Sequence, residues 1–210
     1  MTRFAWSVLI ILVSLISCSS PKPALVKTQA KCSYDRAQLM ALDEQHFDQD
    51  PKGGWRTIAY IPGCESTAAD LIRDYRKAHR SQSYILYWHE AQVRAVAGDY
   101  KRAIPLMEKS RKPEKTDFGG WNYYVDASIA FLRKDKAALA DARSKLAKLQ
   151  PAPGMSPVKD GLIDVHMPNG QIVKERWPFN LDFVDGFIRC FDKPYIVAYR
   201  SKDCHSVLHQ

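Results

Sequence analysis

The chain predicts a mainly α fold: an antiparallel array of helical hairpins, with a short irregular or β-hairpin segment near residues 160–175. Three observations predict it. Apolar residues recur at i, i+3, i+4 and i+7 from residue 66 to residue 149. The recurrences are punctuated by brief breaks such as Gly98-Asp99 and Lys134-Asp135, which suit tight turns between antiparallel neighbours. An Asn-Gly pair at 169–170 sits between two short apolar runs, a hairpin pattern.

Taken in order, a first helix is expected over 34–47, ending in the turn-rich stretch 48–54, which contains Pro51, Gly53 and Gly54. In 66–79, Ala68, Leu71, Ile72 and Tyr75 form one helical stripe. In 83–97, Tyr84, Tyr87, Trp88, Ala91 and Ala95 repeat it. Gly98 suits the position just past a helix end, and Asp99 the cap of the next helix, 100–111. Pro105 lies inside that helix and removes one backbone hydrogen bond, so a kink is expected. After the loop 112–120, Trp121, Tyr124, Val125, Ile129 and Leu132 make another stripe. Asp135 caps an alanine-rich helix over 136–149, closed by Pro151 and Pro153. The runs 162–165 and 171–174 flank Pro168-Asn169-Gly170, and the proline weakens the hairpin pattern. Leu181, Val184, Phe187 and Ile188 then mark a helix, and a last short one starts after Pro194.

The 210 residues are 46% hydrophobic and 26% charged, with mean hydropathy −0.35, the balance of a globular chain. The formal net charge is +8, but the lysines and arginines are scattered. No basic stripe interleaved with aromatics is present, so no nucleic-acid partner is expected.

The N-terminus carries Arg3, then an apolar segment over 5–16, well short of the ~20 residues a spanning helix needs. It ends in Leu15-Ile16-Ser17-Cys18, which resembles the lipobox of bacterial lipoproteins. The resemblance implies that residues 1–17 are a cleaved signal peptide and that Cys18 is the site of lipid attachment, palmitate included. The protein would then sit in the bacterial cell envelope, held to the membrane by its N-terminal lipid. Ser19 follows the cysteine, and in a Gram-negative host this implies the outer membrane, facing the periplasm. Residues 18–31, with Pro21 and Pro23 among lysines and serines, read as a flexible tether. The division expected beyond it is a helical region over 32–150, then a loop, hairpin and C-terminal helices over 151–210 packing on the same domain.

Cys32, Cys64, Cys190 and Cys204 remain, an even set for an oxidising compartment. Three pairings are possible. Cys32–Cys64 with Cys190–Cys204 is preferred, because each pair then lies within one local unit. No C-x-x-C is present to suggest a redox or zinc site.

Tyr87-Trp-His-Glu-Ala91, followed by Gly98-Asp-Tyr-Lys-Arg-Ala103 and by Met107 and Ser110, resembles the second half of a tetratricopeptide (TPR) repeat. Residues 121–150 resemble a degenerate second copy, with Leu139 where the family has alanine. Small residues allow two helices to approach, and large ones knit adjacent pairs. By this resemblance, Ile85, Trp88, Gln92, Asn122, Tyr124 and Ser128 would face a groove able to bind a peptide or another envelope protein. Core packing is the competing reading of the same aromatic rings.

No catalytic constellation is visible. His89-Glu90 lacks the second histidine of a zinc face, since Val93 stands at i+4. Asp48, Asp50 and Gly53 resemble a calcium loop, but Lys52 and Ala59 occupy its ligand positions. Asp164 and His166 have no nucleophile motif beside them. No cofactor and no metal are expected. The function expected is a non-enzymatic, lipid-anchored binding module. The alternatives are a small periplasmic hydrolase acting on cell-wall material, or a periplasmic inhibitor or immunity protein.

Overall fold

A computed structural model describes residues 32–167 and 170–205. The lipobox, Cys18 and the tether lie outside the described residues. The architecture is mainly helical with one two-stranded antiparallel sheet.

Asp35 caps α1 (Arg36–Met40) by accepting the Gln38 amide. The single helix expected over 34–47 is broken, because Asp43 accepts the His46 amide at 2.8 Å and starts a new turn. That turn, Gln45–Gln49, is π-helical and buries Phe47 and Asp48. Asp48 is therefore no loop carboxylate. Gly54 follows at φ +53°, where a Cβ would fall 1.8 Å from the Phe47 carbonyl oxygen, so only glycine lets the chain fold back there. The short α2 (Arg56–Ala59), unforeseen from the sequence, leads into α3 (Glu65–Ala78).

The expected stripe of α3, Ala68, Leu71, Ile72 and Tyr75, is buried. Helix α4 (Tyr84–Val96) packs against both α3 and α5 (Tyr100–Lys109). Gly98 turns the chain at φ +81° and Asp99 caps α5 through the Arg102 amide, as the spacing requires. Ala91 and Ala103 are both buried, the small pair the approach of these helices needs. Before α6 (Trp121–Arg133), Asp117 accepts the amides of Trp121 and Asn122 at 2.7 and 2.8 Å. Lys134 in the left-handed region and Asp135 as cap connect α6 to α7 (Lys136–Ala147).

Strands β1 (Leu162–His166) and β2 (Ile172–Arg176) pair with Val165 opposite Val173, so the hairpin forms despite Pro168. Asp164 faces Lys174 and bonds its Nζ at 3.0 Å. The chain ends in α8 (Leu181–Arg189) and α9 (Tyr195–Arg200). No described helix is long and apolar enough to cross a membrane.

Two cores result, and α4 lies between them. Leu86 and Val93 face the first, with Phe47, Trp55, Ile72 and Tyr75. Trp88, Ala91 and Ala95 face the second, where Phe131 and Leu146 meet Phe187 and Tyr195 from the C-terminal helices. Tyr84, at the start of the expected stripe, is the first residue of α4 and stays partly exposed, its ring edge-on to Trp121.

Each core carries a disulfide. Cys32–Cys64 (Cα–Cα 5.6 Å) and Cys190–Cys204 (5.8 Å) are the preferred local pairs. Cys32–Cys64 spans 32 positions and holds the start of the described chain against α3. Replacing both cysteines with serine should cost about 3–4 kcal/mol in the chain-entropy picture, read as a lowered melting temperature. Non-reducing peptide mapping should recover the two cysteines in one fragment.

Candidate functional site

The site grows from one buried carboxylate. Asp48, fully buried by the π-helical turn, accepts hydrogen bonds at Oδ1 from His89 Nδ1 (2.7 Å) and from Trp55 Nε1 (2.8 Å). The Gln49 amide donates to Oδ2, and Arg56 donates to the Asp48 carbonyl. Burial alone pushes the Asp48 carboxyl up, but the bonds from His89 and Trp55 and the charges of His89 and Arg56 hold it below the ordinary carboxylate range. An ionised Asp48 fixes the ring of His89 with Nδ1 as donor. His89 Nε2 then makes no hydrogen bond to any described residue, and the side chain keeps 13% exposure.

That exposure opens on a cavity of about 290 Å³. One wall is α4, through His89, Gln92, Val93 and Val96. The second comes from the α2 region, with Trp55, Arg56, Tyr60 and, at the start of α3, Glu65. The third is the end of α9, Tyr199 and Arg200. The cavity thus forms where the two cores meet on α4. Arg56 lies over the Trp55 ring at 4.1 Å. Glu65 and Arg200 form no ion pair with any described residue. Burial raises the Tyr199 hydroxyl above its usual range, against the opposing pull of the Gln92 amide and the Arg200 charge. The hydroxyl therefore stays protonated and able to donate.

Of the six residues expected to face a groove, Gln92 alone lines this cavity. Trp88 and Tyr124 are interior rings, 4.9 Å apart between centroids, and Ser128 is buried with its hydroxyl bonded to the Tyr124 carbonyl. Those three assignments are corrected: the chain behind α4 and α6 covers the face that the resemblance left open. Ile85 is half-buried and packs on the same core. Asn122 clamps the preceding loop, exchanging bonds with the Lys112 amide and carbonyl at 2.9 and 2.8 Å.

Sequence spacing missed Asp48, Arg56, Glu65, Tyr199 and Arg200. Asp48 and His89 are separated by 41 positions and no motif joins them. Among the described residues, no group of three or more His, Cys, Asp or Glu side chains is placed to hold a metal ion.

Asp48 makes a stability prediction with a definite sign. Its carboxyl is depressed in the folded state, so its contribution is complete above the unfolded value of ~3.9 and is lost as pH falls through the folded value. Asp48→Ala should cost about 3 kcal/mol at neutral pH, because the His89 and Trp55 donors lose their acceptor. Melts from pH 7 to pH 2 should show a shallower acid limb in the variant than in the parent.

Comparison of the chain with protein-family models, curated proteins and solved structures finds no match.

Proposed function

We propose that this protein is a lipid-anchored envelope protein acting as a non-enzymatic peptide-binding module, with its helical-hairpin array presenting the α4 cavity. The observation that carries this reading is the cavity itself: it is open to solvent, partly apolar, and lined by Glu65 and Arg200 without ion-pair partners among the described residues. Charged groups placed in a concavity and left uncompensated suit a ligand that supplies the opposite charge.

A pooled library of di- and tripeptides should produce a saturable change in tryptophan emission, since Trp55 lines the cavity. It should also raise the melting temperature by mass action. Gln92→Phe, which fills the cavity from α4, should abolish both responses. Absence of any response in the parent would sink the reading.

A second reading, a small hydrolase acting on cell-wall material, is favoured by the Asp48–His89 pair. Such a pair orients an imidazole to take a proton from water. The cavity wall carries no serine, threonine or cysteine, so water would have to be the nucleophile. Turnover of wall-derived peptides that is lost in His89→Ala would establish it.

The anchor rests on the Leu15–Cys18 pattern. Cys18→Ser should neither incorporate palmitate label nor mature, and should leave the membrane fraction. Unchanged labelling and partitioning would refute the address.

A further inference from the structure

We infer that the α4 cavity takes a small zwitterion, a free amino acid or very short peptide, with its acid group at Arg56 and Arg200 and its ammonium at Glu65. This deepens the peptide-binding reading above and rests on it.

The charges on the walls decide the class. Two arginines and one glutamate line a single space, and neither Glu65 nor Arg200 is neutralised by a described side chain. A purely anionic ligand would meet the Glu65 charge unshielded. A purely cationic one would meet Arg56 and Arg200. A ligand carrying both signs satisfies the three together, and charge-assisted hydrogen bonds are the strong ones in such a site.

Arg56 is fixed in place, with its guanidinium stacked on Trp55 and one donor given to the Asp48 carbonyl. It is thus preorganised to receive a carboxylate, which lowers the ordering cost of binding. His89 contributes at the same wall. With Nδ1 held by the buried Asp48, the other ring nitrogen, Nε2, is left for a polar group of the ligand. Tyr199 offers a protonated hydroxyl.

Size and polarity narrow the class further. A volume of about 290 Å³ lies at the small end of ligand pockets and leaves no room for a long peptide or a protein loop. Ala59, Val93 and Val96 give part of the wall an aliphatic surface, which suits a branched apolar side chain on the ligand.

The test is calorimetric titration of the mature chain, disulfides intact, with four probes: L-leucine, the dipeptide Ala-Leu, 4-methylpentanoate, which lacks the amine, and isoamylamine, which lacks the acid. Leucine or Ala-Leu should bind about tenfold or more tighter than either single-charge analogue. Arg200→Gln should weaken the zwitterion by a similar factor. Glu65→Gln should bring leucine and 4-methylpentanoate to equal affinity. Both side chains lie at the cavity wall outside the two cores, so melts of the variants should match the parent.

Equal binding of 4-methylpentanoate and leucine by the parent would overturn the zwitterion assignment while leaving the cavity a ligand site. No binding of any probe at millimolar concentration would overturn both. Cleavage of bound Ala-Leu would support the ligand class and overturn only the non-enzymatic reading.

Discussion

Replacing Trp88 and Tyr124 together with alanine is expected to leave the protein unfolded at room temperature. Both rings are buried in the second core, where Trp88 also meets Trp121, and Tyr124 lies parallel to Phe187. Each truncation alone should cost about 3–5 kcal/mol through lost burial and the cavity left behind. The rings touch, so the two costs will not simply add. Their combination still approaches the ~5–15 kcal/mol that holds an ordinary domain together. Circular dichroism melts of the two single variants and the double variant measure this directly. A double variant that melts within a few degrees of the parent would show that these rings do not carry the core.

Glu90→Ala is the second large effect. Glu90 on α4 is buried between two buried arginines: it accepts from Arg76 on α3 and, at 2.9 and 2.8 Å, from Nε and Nη2 of Arg94. Asp70 adds a bond to Arg94 at 3.0 Å, and Arg76 stacks over the Tyr87 ring at 3.9 Å. Burial disfavours the charge on Arg94, but Glu90 and Asp70 more than offset it and raise its pKa above the ordinary value. Arg76 Nε and Arg94 Nη1 are buried without a hydrogen-bond partner, so the network has no slack. Removing its carboxylate leaves the buried Arg76 without a counter-charge and Arg94 with only the more exposed Asp70 and Asp99, a loss of about 3–5 kcal/mol. A combined Arg76→Met, Glu90→Leu, Arg94→Met variant should recover most of it, since apolar groups of similar volume replace buried ions at little cost. Urea midpoints for the two variants distinguish a network that stabilises by its charges from one that is merely costly to break.

The same short stretch of α4 shows what spacing could and could not reveal. Residues 88 to 94 read correctly as helix, and Ala91 read correctly as a close-approach position. The direction each neighbouring side chain takes was not legible. Trp88 turns into one core, His89 to the cavity, and Glu90 into the ionic interface with α3. A helix buried on one side repeats its apolar face every three to four residues, and that period is visible in a chain. A helix buried on two sides, with a polar network and a cavity edge as well, has no single period to read. The π-helical turn presents the same difficulty. Asp48 lies among Asp50, Pro51 and Gly53, which signal an exposed turn, and only its long-range bonds to His89 and Trp55 reveal a buried acceptor.

By itself the sequence determined the helices from α3 to α7 and their capped turns; it offered a hairpin around residues 169–170 without its register, and it preferred the local cysteine pairs without excluding the other two pairings. These depend on local periodicity, on turn residues that few alternatives can replace, and on the closeness of each cysteine pair along the chain. The tertiary structure alone decided which side of α4 is closed and which is open. It brought Asp48 to His89 across 41 positions, and α9 to α4 with Tyr199 and Arg200. Contacts of that kind form because burying apolar surface brings distant segments together. The charged and polar side chains carried along meet partners that no local spacing encodes.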